Sequence, residues 1–142
     1  MMADVIRFTW GGNPLGDFII AVSDKGLVAL ELGSDRTSSQ DALRQRFPGA
    51  DLVEAAHELK DVVSKVNRAI ENPDFDAAIP LDLRGTPYEV EVWSMLRALP
   101  VGETTTYGAL AAQLGTRDTR EVTAAVAANP IAVLVPSYRV IK

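Results

Sequence analysis

The first third of the chain alternates short apolar runs with turn residues, a pattern that is typical of β-strands. Residues 6–10 (IRFTW), 17–22 (DFIIAV) and 27–32 (LVALEL) are rich in β-branched and aromatic side chains. The segments between them, GGNP and SDKG, contain the residues that favour tight turns. This pattern predicts a small antiparallel sheet.

Two helices are predicted after this sheet. The first opens with SSQDAL at residue 38 and stops before Pro48, because proline disfavours helix at the preceding residue. The second spans residues 55–72, where apolar side chains recur at helical spacing. Residues 79–83 (IPLDL) are predicted as a short extended segment.

From residue 85 onward the pattern is mainly helical. The triplet Gly85-Thr86-Pro87 predicts a hinge between two lobes, 1–84 and 85–142, with Thr86 as the cap of a helix that runs to Leu99. Further helices are predicted over 107–114 and 120–128. The GTRDT turn between them is typical of a helix-turn-helix, although ordinary helical corners show the same pattern.

The composition excludes several kinds of chemistry. The chain has no cysteine and one histidine, His57, which excludes disulfides, thiol chemistry and cysteine-based zinc sites, and no carboxylate clustering suggests a metal. We therefore predict no cofactor. The net charge of −5 comes from residues 1–85, with 9 basic against 14 acidic residues, whereas residues 86–142 hold 5 of each. Any nucleic-acid binding must be local, because neither half is strongly basic.

The sequence also bears on location. No run approaches eighteen apolar residues, and the N-terminal MMAD lacks the basic start of a signal peptide. We expect a cytoplasmic protein with no membrane partner.

Three stretches resemble the O6-alkylguanine-DNA alkyltransferase family: RGTPYEVEVWSMLRALPVGETTTYGALAAQLG (84–115), REVTAAVAANP (120–130) and IAVLVPSYRVIK (131–142). The first lobe is most similar to that of the Ada C-terminal half. The resemblance implies an α/β N-terminal lobe with a ribonuclease H-like sheet. It also implies a mainly α C-terminal lobe with a helix-turn-helix, similar to a winged helix.

The resemblance also implies a partner and a chemistry. Members of this family bind double-stranded DNA, flip O6-alkylguanine out through the minor groove and move its alkyl group to their own cysteine. Arg120 aligns with the arginine that fills the space left in the base stack by the flipped base. Thr123 and Ala124 place small side chains on the helix face beside it. Tyr107 aligns with a tyrosine near the flipped nucleotide, and Asn129 with an asparagine that organises the reactive loop. A surface arginine, a half-buried tyrosine and a helix-capping asparagine are the plain alternatives.

The departure from the family lies at Ser137 and Tyr138, where the family has Cys-His. Alkyl transfer needs a thiolate, and a serine hydroxyl without a neighbouring base is a poor nucleophile. We therefore expect no alkyl transfer. Residues 133–135 are expected to form a stiff buried strand leading to Pro136, with Arg139 just beyond as a further DNA-binding candidate. The family continues after this motif with a glycine-containing loop and a helix that do not occur in these 142 residues.

Three hypotheses follow. The first is a lesion-binding protein of DNA alkylation repair without alkyl transfer. The second is a structural or regulatory module of an Ada-like transcriptional regulator, where this region is joined to an upstream zinc methyl-sensing, DNA-binding region. The third, a serine hydrolase using Ser137, ranks last because the sequence has no G-x-S-x-G elbow and no histidine near it.

Overall fold

The computed structural model describes residues 4–14, 16–33, 35–72, 79–100 and 102–141. The chain divides into two compact units, Met1–Leu83 and Arg84–Lys142. The N-terminal unit contains β1 (Val5–Asn13), β2 (Gly16–Val22), β3 (Leu27–Leu32), α1 (Arg36–Arg46), β4 (Asp51–Glu54) and α2 (Lys60–Glu71). The C-terminal unit contains α3 (Pro87–Arg97), β5 (Thr105–Thr106), α4 (Tyr107–Gln113), α5 (Arg120–Ala127), a 3₁₀ helix (Ser137–Arg139) and β6 (Val140–Ile141).

The sheet of the N-terminal unit has the strand order β3-β2-β1-β4. Strands β1, β2 and β3 form the predicted antiparallel meander. The fourth strand was not predicted: Asp51–Glu54 pairs in parallel with residues 5–8 of β1, so the sheet is mixed. One sheet face packs on α1, with a core that includes Ile6, Phe8, Leu43 and Phe47.

Both helices of this unit differ in their starts from the predicted positions. Helix α1 begins at Arg36 because the Asp35 carboxylate accepts hydrogen bonds from the N–H groups of residues 37 and 38. It ends at Arg46, before Pro48, as predicted. Helix α2 begins only at Lys60. The pairing with β1 continues up to Ala55, whose N–H donates to the Phe8 carbonyl at 2.9 Å, and a turn follows before the helix.

The extended segment 79–83 is confirmed. Leu81 forms a parallel bridge with Leu27, and the N–H of Leu27 donates to the Pro80 carbonyl at 2.8 Å. The Ser23 hydroxyl donates to the Asp82 carboxylate at 2.6 Å, which ties this segment to the turn before β3. These contacts hold the segment 79–83, at the end of the N-terminal unit, against the start of β3.

The first helix of the C-terminal unit starts where the sequence predicts. Thr86 Oγ1 accepts from the N–H of Glu89, and the Glu89 carboxylate accepts from the N–H of Thr86, which is a complete capping box. Trp93 is 1% exposed, and its Nε1 donates to the Ala125 carbonyl at 2.8 Å. This hydrogen bond fixes α3 against α5.

The next two helices are also as predicted to within one residue. Thr106 caps α4 by accepting from the N–H of Ala109 at 3.0 Å, and Gly115, at φ +81°, follows the end of that helix. Buried side chains of both helices form the core of the unit, including Leu110, Val122 and Val126. Within the described ranges, no helix has the length and apolar character that crossing a bilayer requires.

Candidate functional site

Helix α5 presents a narrow exposed face built from small side chains. Arg120, Thr123 and Ala124 are all exposed, and they lie at positions i, i+3 and i+4 of the helix. On the opposite side of the helix, Val122 and Ala125 are buried in the unit. The structure therefore places the three residues that the sequence predicts for DNA binding on one surface, where little side-chain bulk covers the helix backbone.

Arg120 is the first residue of α5, and its side chain is 90% exposed. Its Nε and Nη2 donate to the two carboxylate oxygens of Asp118, at 3.1 Å to Oδ1 and 2.9 Å to Oδ2. The Arg120 backbone N–H also donates to Asp118 Oδ1 at 2.9 Å. These bonds from Arg120 hold the pKa of Asp118 below its ordinary value, and the carboxylate raises the pKa of the guanidinium in turn.

The start of α5 carries further negative charge. Glu121 is exposed directly after Arg120. Burial raises the pKa of the half-buried Tyr88 phenol of α3, and the carboxylates of Glu121, Asp118 and Glu91 raise it further. The Tyr88 hydroxyl has no hydrogen-bond partner among the described residues. The guanidinium of Arg120 itself is bonded to Asp118 and has the carboxylate of Glu121 close enough to raise its pKa further.

A loop held by one side chain lies at the other end of α5. Asn129 Nδ2 donates to the Val135 carbonyl and to Ser137 Oγ, both at 2.7 Å, and its Oδ1 accepts from the N–H of Ile131 at 2.9 Å. One half-buried carboxamide thereby fixes both ends of the segment 131–137. Val126, whose carbonyl accepts from Ser137 Oγ at 3.4 Å, lies about 9 Å from Arg120 along the helix axis at 1.5 Å per residue.

The expectation of a strand at residues 133–135 is wrong, because the segment is a compact turn. The N–H of Leu134 donates to the Ala132 carbonyl at 2.7 Å, which places Val133 at φ +68° at the centre of a γ-turn. A second such turn centres on Pro136, where the N–H of Ser137 donates to the Val135 carbonyl at 2.9 Å. The β-branched composition favours a strand locally, but the hydrogen bonds to Asn129 require the chain to fold back.

Ser137 is half-buried and has no base beside it among the described residues. Its Oγ accepts from Asn129 and lies 3.4 Å from the Val126 carbonyl oxygen, to which it donates. Tyr138, the next residue, is 54% exposed. His57 lies in the exposed turn before α2, in the N-terminal unit. The Ser137 hydroxyl is therefore hydrogen-bonded within the loop, and no described group beside it can remove its proton.

Arg139 binds protein carbonyls in this structure. Its Nη1 donates to the Pro100 carbonyl at 3.0 Å and lies 3.5 Å from that of Leu99, just beyond the C-terminal end of α3. Its guanidinium also lies 5.7 Å from the centroid of the Tyr138 ring. The geometry gives Arg139 a structural role, and a contact with DNA stays a prediction.

The last strand brings Tyr107 into this region. Strands β5 and β6 pair in parallel, with Thr105 opposite Val140 and Thr106 opposite Ile141. Tyr107 directly follows this pair as the first residue of α4 and is half-buried. The segment 137–141 and the start of α4 are therefore neighbours, whereas Arg120 lies at the far end of α5.

Sequence reasoning did not find Asp118. The signal available in the sequence was an aspartate two residues before an arginine at a predicted helix start, where an Asx-type turn is common. In the described part of the chain, no group of three or more His, Cys, Asp or Glu side chains is arranged to hold a metal ion.

Comparison with known proteins identifies the family. Residues 8–83 match the profile described as the 6-O-methylguanine DNA methyltransferase ribonuclease-like domain. Residues 87–142 match the profile of the DNA-binding domain of the same protein. The chain therefore belongs to the 6-O-methylguanine DNA methyltransferase family and matches the profiles of both domains. The resemblance inferred from the sequence and the expected two-lobe fold class are confirmed.

Individual relatives agree with this assignment. The chain is 35% identical over 138 residues to the Bifunctional transcriptional activator/DNA repair enzyme Ada of Escherichia coli, covering 96% of this chain and 39% of that protein. It is 33% identical over 129 residues to the inducible methylated-DNA–protein-cysteine methyltransferase of Bacillus subtilis, covering 88% of this chain and 71% of that protein.

Among solved structures, Mycobacterium tuberculosis OGT in complex with DNA is similar, with a TM-score of 0.70 and 29% identity. That likeness covers 96% of this chain and 78% of the other. The chain spans about two fifths of the length of the Escherichia coli Ada protein and of the Regulatory protein ada of Salmonella typhimurium.

Proposed function

We propose that this chain binds double-stranded DNA carrying O6-alkylguanine, flips the damaged base through the minor groove, and does not accept the alkyl group. The observation that carries the proposal is the arrangement of α5. One short helix has the exposed guanidinium of Arg120 at its first turn and the Ser137 loop at its last, with the small side chains of Thr123 and Ala124 on the face between them. Membership of a DNA-repair methyltransferase family supports it.

Each predicted residue has a physical part in this function. The small side chains of Thr123 and Ala124 let the helix backbone come close to the duplex. Arg120 has a long side chain at the helix start, so it can reach into the base stack and fill the space of an extruded base. Tyr107 lies near the segment 137–141 through the β5–β6 pair, where it can contact the extruded nucleotide.

The lack of alkyl transfer follows from the surroundings of Ser137. Transfer would form a bond from Oγ to the alkyl carbon and break the bond from that carbon to guanine O6, while the hydroxyl proton leaves. Among the described residues, the groups within hydrogen-bond distance of Oγ are an amide donor and a backbone carbonyl, and neither is a base near neutral pH. The hydroxyl therefore stays protonated, and its attack on carbon is slow.

A second candidate is a structural or regulatory module of an Ada-like regulator with no lesion binding of its own. Two observations favour it: the chain covers 39% of the Ada protein, and Arg120 is paired with Asp118 and has the charge of Glu121 close by. In that case the partner is the upstream zinc methyl-sensing, DNA-binding region of the same polypeptide, and this chain contributes packing alone.

A fluorescence-anisotropy titration separates the two candidates. Two short duplexes, identical except for one O6-methylguanine, are titrated with the chain. We expect tighter binding to the lesion, and we expect Arg120→Ala to weaken binding and to reduce the preference. Arg44→Ala is the matched control, because Arg44 is also an exposed arginine paired with an aspartate, Asp41 at 2.9 Å, but it lies in the other unit. Equal, negligible binding to both duplexes would refute the lesion-binding proposal and favour the module.

A further inference from the structure

We propose that Asp118 competes with DNA for the guanidinium of Arg120 and thereby sets the affinity of this chain for DNA. The inference rests on the proposed function, and it assigns a determinant of affinity to a residue that has no part in base flipping itself. It predicts that removal of the Asp118 charge strengthens DNA binding, and only when Arg120 is present.

The competition follows from the geometry of the pair. Nε and Nη2 of Arg120 each meet one oxygen of the Asp118 carboxylate, at 3.1 Å and 2.9 Å. This two-point arrangement is also how guanidinium groups bind phosphate oxygens and the acceptor edge of guanine. The donors that DNA would use are therefore already bound within the protein.

Asp118 is held in place for this contact. Its own N–H donates to Thr116 Oγ1 at 3.1 Å, and its Oδ1 accepts the backbone N–H of Arg120 at 2.9 Å. Most exposed ion pairs contribute little because two mobile side chains must be ordered at once. Here the turn already orders the carboxylate, so the Arg120 side chain alone loses freedom on pairing.

The pair is also open to an incoming duplex. The Arg120 side chain is 90% exposed and that of Asp118 is 45% exposed. For Arg120 to contact DNA, its bonds to Asp118 must break, and the freed carboxylate then stands close to the phosphates. Both effects weaken binding. An amide of the same shape removes the negative charge and one of the two acceptor oxygens, so it reduces both effects.

The variant that tests this is Asp118→Asn, since asparagine can still accept the Arg120 N–H through its side-chain oxygen. We expect about a three- to tenfold lower Kd for duplex DNA at low salt, where charge effects are strongest. In an Arg120→Ala background the same change is expected to alter Kd less than twofold. Glu121→Gln removes another exposed charge, one without a hydrogen bond to the guanidinium among the described contacts, and we expect a smaller gain from it.

The outcomes are separable. If wild type and Asp118→Asn bind equally while Arg120→Ala binds less, the role of Asp118 is wrong and the proposed function stands. An equal gain from Asp118→Asn with and without Arg120 also overturns it, since that result indicates a general charge effect. If no variant, wild type included, binds either duplex, both proposals fall.

Asp118→Ser retains an acceptor for the Arg120 N–H and serves as the second variant, with circular dichroism confirming that each protein is folded.

Discussion

Asn129 Nδ2 lies 2.7 Å from Ser137 Oγ, and the same nitrogen donates to the Val135 carbonyl at 2.7 Å. A carboxamide has two donor hydrogens and one acceptor oxygen, and here all three sites are used, the oxygen by the N–H of Ile131. The position of the Ser137 hydroxyl is therefore set by a residue eight positions earlier in the chain, at the end of α5.

Loss of this carboxamide should destabilise the chain. Asn129→Ala leaves the N–H of Ile131 and the carbonyl of Val135 without this partner in a half-buried loop, and we expect a loss of about 2–4 kcal/mol in the free energy of unfolding. Urea unfolding followed by circular dichroism measures this. Gln113→Ala, which removes an exposed carboxamide at the end of α4, is the control and should change the free energy by less than about 0.5 kcal/mol.

A second substitution at the same site sharpens the result. Asn129→Asp retains the acceptor for Ile131 but directs a carboxylate oxygen at the Val135 carbonyl. At neutral pH we expect it to be at least as destabilising as Asn129→Ala. A fully stable Asn129→Asp protein would show that the donor hydrogens do not matter, and that the loop is held by its apolar packing instead.

The acceptor position can be tested by restoring the family residues. Ser137→Cys introduces a thiol with an ordinary pKa near 8.5, so only a few per cent is thiolate at neutral pH, although the Asn129 donor favours the ionised form. We expect slow methyl transfer from O6-methylguanine DNA to Ser137→Cys and faster transfer to Ser137→Cys with Tyr138→His. The wild-type chain should take up no label from DNA with a radioactive methyl group.

Ser94→Cys controls for non-specific alkylation, because Ser94 is an exposed residue of α3 outside the site. Label on the wild-type chain would contradict the proposal that Ser137 is not an acceptor. Equal rates for the single and double variants would show that the residue at 138 has no part in activating the thiol.

A pair of glycines tests how tightly α3 is packed. A Cβ at Gly85 would lie 2.6 Å from the ring of Trp93, which is 1% exposed and bonded to Ala125, so it cannot move aside easily. We expect Gly85→Ala to cost about 1–3 kcal/mol in thermal or urea unfolding. Gly108 in α4 has open space around it, with its nearest neighbour, Thr106 Oγ1, 3.9 Å away.

Gly108→Ala should therefore stabilise the chain by up to about 1 kcal/mol, because alanine favours helix and restricts the unfolded chain. If both substitutions had the same sign, the contrast between a packed and an open glycine would be refuted.

Local features of this fold were predictable from the sequence. The helix cap at Thr86, the turn glycine Gly115 and the meander of β1 to β3 depend on residues close together in the chain, and the structure confirms all three. The candidate residues Arg120, Thr123 and Ala124 could be placed on one face because helical periodicity alone decides it.

Features that depend on distant contacts were not predicted. Strand β4 has four residues and gains its partner only through parallel pairing with β1, and the short β5–β6 pair joins segments more than thirty residues apart. The loop before Ser137 looked like a strand because its residues favour extended backbone, whereas the contacts of Asn129 decide its path. A side-chain pair such as Arg120 with Asp118 leaves no periodic pattern at all.

That pair gives a pH-dependent prediction for the folded protein. The pKa of Asp118 is lowered first by the Arg120 side chain and then by the Arg120 backbone N–H. A carboxyl group whose pKa is lowered on folding contributes stability at pH values above its unfolded pKa and loses it as the pH falls through the folded value. The Arg120–Asp118 pair should therefore be intact at neutral pH and lost in acid.

Arg120→Ala should raise the pKa of Asp118 toward its ordinary value without reaching it, because the backbone N–H still donates to the carboxylate. A titration of carboxyl ¹³C shifts by NMR measures this directly. Asp35 is the internal reference: its pKa is lowered by the hydroxyl and N–H of Ser38, so the substitution should leave it unchanged. An Asp118 pKa that is the same in both proteins would show that the guanidinium does not bind this carboxylate in solution, and the competition with DNA would then have no basis.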